Sequence, residues 1–274
     1  MKLEKIRNLF EEFIKNYDEK TKTDIWQRNS KAFWDFWKSR ILNESVTELR
    51  EQEIDQIIRI LDIHAKGRTK DDEAVARTMI RQNIWRRMFK EIKDNNKLHD
   101  LLNKIFREDD DNQRAILIDE LYRINEGKKN GLTGEGGNAV NAILGAAHPT
   151  NYVHAVSLNH RKDIIQYFGF DGGPNFETDT PGKKIVLSNR AIINGFKSLG
   201  INAAPRTVSV FLYETLMEFW KRGKKKDREE TGPNITTNVL MLLDNKKQII
   251  IYGPPGTGKT FNTKKISLQI LGTI

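Results

Sequence analysis

The sequence predicts a mainly α-helical protein that ends in the opening of an α/β module. Three observations carry that prediction. From Lys2 to about Asn125, apolar residues recur at spacings of three and four, the period of one helix face, with no convincing strand among them. Beyond that point, glycines and prolines fall where helices stop and start. Finally, Gln248–Tyr252 (QIIIY) reads as an apolar strand that runs straight into a glycine-rich loop.

The elements follow in order. Leu3, Ile6, Phe10 and Phe13 mark a first helix, and Ile54, Ile57, Ile58, Leu61 and Ile63 mark a later one, so five or six helices fit before Asn125. Gly67 and Gly127 stand where helices place a residue of positive φ. The acidic run Glu108–Asp111 precedes RAILIDELYRI, where negative charge favours a helix N-terminus. Gly131–Gly137 is a turn that leads into NAVNAILGAAH, which Pro149 closes. Ser157 is placed to cap LNHRKDIIQYF, and Gly169 ends it. FDGGPNFETDTPGKK reads as loop, followed by a helix from about Asn189 to Leu199 that Gly200 terminates. Pro205 suits the first turn of a longer helix reaching about Lys221. Dense charge, two glycines and a proline over Lys221–Pro233 then mark a linker. The domains expected are therefore a helical region at 1–220, with a sub-boundary near 127–137, a charged linker at 221–234 and the α/β module from 235 to 274.

Bulk properties bound the function classes. The 46 Lys and Arg exceed the 37 Asp and Glu, giving a net charge of +9 that permits nucleic-acid binding without requiring it. With no cysteine, disulfides, thiolate zinc sites and cysteine nucleophiles are excluded. No apolar run approaches the ~20 residues of a membrane span, and MKLEKIRNLFEEF is a charged helix rather than a signal peptide. A cytoplasmic protein with no membrane partner is expected.

The chemistry sits in Gly253-Pro254-Pro255-Gly256-Thr257-Gly258-Lys259-Thr260, which fits G-x-x-x-x-G-K-[ST], the Walker A loop. Its glycines let backbone N–H groups turn onto phosphates, Lys259 reaches the terminal phosphates, and Thr260 holds Mg²⁺. The helix that follows adds the positive end of its dipole. An acidic residue on a later strand, sensor residues and an arginine finger, which a nucleoside triphosphatase also needs, have no room in the 14 residues after Thr260. The expectation is the front part of a longer protein, inactive as an NTPase by itself.

Flanked as QIIIYGPPGTGKTFNTKK, this stretch resembles the start of an AAA+ module. Tyr252 before the loop and Phe261-Asn262-Thr263 after it are similar to the McrB-like branch, the motor subunits of modification-dependent restriction systems. The resemblance covers about Ile235 to Ile274. It implies ATP or GTP with Mg²⁺ as cofactor, bound by the loop from Gly253 to Phe261. It also implies a hexameric ring in the complete protein, a separate nuclease subunit, and an N-terminal domain that recognises double-stranded DNA, methylated or not.

Basic side chains in the first 230 residues fit that role: Arg77, Arg81, Arg86 and Arg87 on one predicted helix, Arg161 and Lys162 in a second cluster, and Lys224, Lys225 and Lys226 in the linker. The bland alternatives are a solvated face paired with Asp72 and Glu73, and a solvated linker. The set Trp26, Phe33, Trp34, Phe36 and Trp37 suits either a core stripe or stacking walls for an extruded base. Trp85 and Phe89 read as core in the same way. Gly131–Gly137 offers a weak second phosphate cradle beside its reading as an ordinary loop. His148, His154 and His160 are six apart and share no helix face, so they give no metal site. The rival function is an AAA+ remodelling ATPase whose helical N-terminal domain binds a protein partner through its amphipathic faces.

Overall fold

The three-and-four spacing of the first half folds as six α-helices. They are α1 (Leu3–Lys15), α2 (Glu19–Phe36), α3 (Glu51–Leu61), α4 (Gln82–Asp94), α5 (Asn96–Arg107) and α6 (Asp111–Ile124). Four more follow: α7 (Asn138–Ala147), α8 (Leu158–Phe168), α9 (Pro181–Ser198) and α10 (Pro205–Glu214). The computed structural model describes residues 3–62, 74–221, 263 and 267, and no strand occurs among them. The chain is mainly helical. It falls into two units, Met1–Trp220 and Lys221–Ile274. Of the second, only Lys221, Thr263 and Ser267 are described, all helical; the strand Gln248–Tyr252 and the loop after it lie outside the described residues.

Local chemistry sets the helix ends. Asp18 accepts from Thr21 N at 3.0 Å, Asn95 from Leu98 N at 3.2 Å and Asp110 from Gln113 N at 2.8 Å, each filling an orphan donor of a first turn. Ser157 precedes α8 but makes no such bond. Gly127, Gly169 and Gly200 all take positive φ, whereas Gly67 lies outside the described residues. α2 runs on into a π-helical turn, Trp37–Ile41, whose end is closed from afar. The buried Lys93 ammonium donates to Ile41 O at 2.9 Å and to Asn43 O at 2.8 Å.

Two expected boundaries move. α9 starts at Pro181, not near Asn189, because Thr180 caps it by accepting from Lys183 N and Pro181 occupies the first helical position. α10 stops at Glu214; residues 215–216 turn before the chain is helical again over 217–221.

Two apolar clusters make the core. One gathers residues of α2 to α7, including Phe33, Trp37, Ile54, Ile58, Trp85 and Phe89, all at or near zero exposure. Each such side chain contributes about 2 kcal/mol relative to exposure. The other joins Ile6 of α1 to α8, α9 and α10 through Ile192, Phe196, Phe211 and Leu212. α9 bridges them by packing on both α6 and α8. Its approach to α6 is close enough that a Cβ on Gly182 would stand 1.9 Å from Ala115 O, so only glycine fits there. No helix among the described residues is long and apolar enough to cross a membrane.

Candidate nucleic-acid surface

The stretch from Ala74 to Lys90 carries Arg77, Arg81, Arg86, Arg87 and Lys90 and no acidic residue. Its first part is not helical. Arg77 and Arg81 lie on extended backbone before α4, with Arg81 at the N-cap, so the expected single basic helix face is corrected to an extended edge followed by a helix. The cause is local. Thr78 is fully buried; its hydroxyl donates to Asp62, and its carbonyl accepts from Asn138 Nδ2 at 2.8 Å. Trp85 Nε1 donates to the same Asp62 carboxylate at 3.2 Å. These bonds pin the edge to α4 and α7 and hold Met79 at φ 61, a left-handed conformation that costs a side-chain-bearing residue about 1 kcal/mol. Met79 is 77% exposed as a result.

The arginines divide by direction. Arg77, Arg81 and Arg87 are exposed and form no ion pair with any described residue, while Asp72 and Glu73, the alternative partners, lie outside the described residues. Arg86 turns the other way. Its Nε and Nη2 grip the Asp55 carboxylate at 2.8 and 2.6 Å, and Nη1 meets Glu51 at 2.6 Å. This fork holds α4 against α3 and keeps the Asp55 carboxyl below its usual range, with the Arg86 hydrogen bonds as the main cause. Arg86 is therefore committed to holding α4 on α3.

The second basic cluster dissolves. Arg161 is fully buried: Nε donates to Ala155 O at 2.6 Å, and Nη1 donates to Ile185 O at 2.9 Å and Ser188 Oγ at 3.2 Å. It ties the 153–156 segment to α9, and burial lowers its pKa to about 10. No phosphate reaches it in this fold. Lys162 pairs with Glu177. Lys224, Lys225 and Lys226, together with Gly253, Pro254, Pro255, Gly256, Thr257, Gly258, Lys259, Thr260 and Phe261, lie outside the described residues.

The aromatic set resolves as core. Trp26, Phe33, Phe36 and Trp37 are at most 8% exposed, and Trp34 is half-buried with its Nε1 donating to Ala147 O at 3.0 Å. Phe33 and Trp37 stack on each other and meet Phe106 edge to face, which leaves no slot between them for a base. The histidines scatter: His148 bonds Phe106 O, His160 meets the Tyr213 hydroxyl, and His154 is buried edge-on against Trp26. Among the described residues, no group of acidic and histidine side chains is arranged to hold a metal. Gly137 stands at the N-cap of α7 in the left-handed region, and Gly131 lies against α4, where a Cβ would strike Ile84 at 2.6 Å.

Sequence reasoning passed over two residues, Met79 and Arg206. Nothing in the local pattern distinguishes an exposed methionine from a buried one, and Arg206 reads as an ordinary residue after a helix-starting proline. Comparison with protein-family models, with curated proteins and with solved structures gave no match.

Proposed function

We propose that this chain is the recognition portion of a nucleotide-driven AAA+ motor of the McrB-like kind, working in the cytoplasm, whose helical unit binds double-stranded DNA. One observation carries the DNA reading. Arg77 and Arg81 face solvent from a pinned edge, and Arg87 from α4 beside it, with no ion pair to any described residue. Guanidinium groups held this way suit phosphate oxygens, which position a protein on a duplex without reading its sequence. The exposed Met79 between two of them adds an apolar contact of the sort that minor-groove proteins press against base steps.

The loop from Gly253 to Phe261 would bind ATP or GTP, with Lys259 on the terminal phosphates and Thr260 on Mg²⁺. In the complete motor, nucleotide would drive ring assembly into a hexamer and engagement of a nuclease subunit. The test of the recognition role is fluorescence anisotropy of the chain with labelled duplex, unmodified and methylated, between about 50 and 200 mM salt. Affinity falling steeply with salt is expected, and a tighter methylated complex would identify a modification reader. Absent or salt-independent binding would refute the DNA role.

A further inference from the structure

One backbone position among the described residues is strained without being glycine. Met79 holds φ 61, in the left-handed region, and it is the most exposed of the large apolar side chains described. Neither property helps the fold by itself. Glycine meets a turn of this kind without strain, and an apolar side chain in water gives up the stabilisation of burial. Strain persists only where the surroundings over-determine it, and such positions gather at sites that bind or switch.

The surroundings of Met79 do over-determine it. Val75 N donates to Ile60 O at 2.7 Å, and Val75 O accepts from Arg206 Nη1 at 3.2 Å. Three residues on, the buried Thr78 hydroxyl donates to Asp62 and accepts from Ile80 N at 3.2 Å, while Thr78 O accepts from Asn138 Nδ2 at 2.8 Å. Ile80 packs against the core of α2 to α7. Met79 is clamped between these two inward-facing residues, and its side chain is left in solvent. Exposure alternates along the segment: Arg77, Met79 and Arg81 are exposed, Thr78 is buried and Ile80 half-buried. An extended chain rises about 3.3 Å per residue, so the two arginines root at most about 13 Å apart with the methionine between them.

From this arrangement we infer that Met79 is a wedge, which enters the minor groove between stacked base pairs and kinks the duplex while Arg77 and Arg81 hold the phosphates on its two lips. The wedge presupposes that the helical unit binds duplex DNA, and it specifies the groove, the deformation and the steps preferred. The scale fits. The minor groove is about 6 Å wide, too narrow for a helix but open to a single extended segment. An unbranched thioether is slim and adaptable. Proteins that bend DNA from this groove insert apolar side chains of this size, methionine among them, and open kinks of about 20–90°. The pinned backbone keeps the wedge stiff, so little ordering is needed on insertion. Pyrimidine–purine steps unstack most easily and A-tracts resist, so the site favours TA or CA steps through their deformability, with no base-edge contact.

The test uses the whole chain and an end-labelled duplex with one central TA step, read by energy transfer for bending and by anisotropy for affinity across a salt series. Wild type is expected to raise the transfer. It should also bind a duplex already kinked by a two-base bulge severalfold more tightly than the straight one, because the deformation is already made. Met79→Ala is expected to lose both the rise in transfer and that preference. Its salt slope stays as in wild type, since no charge is removed, whereas the arginine variants lose slope. Met79→Gly relieves the strained φ, so it should lose the kink without lowering the unfolding midpoint. A lowered midpoint in Met79→Gly would assign the methionine to the fold and overturn the wedge. Wild type that binds with a salt slope yet leaves the transfer unchanged, or Met79→Ala that kinks as wild type does, overturns the wedge and leaves the DNA reading standing. No binding of wild type at about 50 mM salt removes the DNA reading and the wedge with it.

Discussion

Replacing Arg77, Arg81 and Arg87 together by alanine removes three exposed guanidinium groups, none of which forms an ion pair with a described residue. If each meets one phosphate, each releases counterions that contribute about −0.9 to the slope of log affinity against log salt. Three contacts contribute about −2.7, so a rise from about 50 to 200 mM salt costs these arginines alone about 40-fold in affinity. The measurement is anisotropy of a labelled duplex across at least four salt concentrations. The triple variant is expected to be shallower by about 2.7 units of slope, and each single change by about 0.9. Arg86→Gln is the internal control. It breaks the fork to Asp55 and Glu51, so it should lower the unfolding midpoint while leaving the slope as it was. A triple variant with native helicity and an unchanged slope would refute the surface. A wild type that binds with no slope would refute the DNA reading itself.

Three further outcomes are expected. Gly182→Ala forces a Cβ to within 1.9 Å of Ala115 O, so α9 must lift from α6; denaturant unfolding should show a loss of about 2 kcal/mol or more at unchanged m, and an unchanged midpoint would deny the close approach. His154 has a pKa well below the ordinary 6.5, first from burial and then from Arg206 and Arg161. Only the unfolded chain gains its proton as pH falls through 6.5, so stability drops on acidification by up to about 1.4 kcal/mol per pH unit. His154→Phe should flatten that limb between pH 6.5 and 5, with His148 cancelling because both proteins keep it; identical limbs would place the histidine in water. Lys259→Ala should abolish binding of a fluorescent ATP or GTP analogue in Mg²⁺ and leave duplex affinity intact, and persistent nucleotide binding would count against the Walker A reading.

Helices were legible because burial imposes a period on the sequence, and Ile54, Ile57, Ile58 and Leu61 are buried as that period requires. The start of α9 was not, since Thr180-Pro181-Gly182 has the composition of a turn. In three dimensions the same residues are a cap, a first-turn proline and a contact point on Ala115. Arg86 and Arg87 show a sharper limit. They are neighbours in sequence and equal in charge, but successive residues on a helix point about 100° apart. One is locked to α3 and the other faces solvent, and composition counts both as one basic patch. The deciding carboxylates, Asp55 and Glu51, lie in another helix.

Arg161 and Arg206 carry that limit to its physical root. Arg161 is fully buried and Arg206 partly so in a chain of net charge +9, and neither has an ion-pair partner among the described residues. Arg161 is nevertheless complete, because the ends of the 153–156 segment and of a turn of α9 converge on it with carbonyl oxygens. A planar fork of donors can be satisfied by dipoles alone when enough of them point inward. Around Arg206 the backbone supplies a single carbonyl, from Val75, 131 positions away, and the guanidinium lies over the Trp26 ring instead. One guanidinium is satisfied by inward-pointing dipoles, the other by one carbonyl and an aromatic face. That difference is set by contacts far apart in the chain, which is why two similar arginines in the sequence take different partners in the fold.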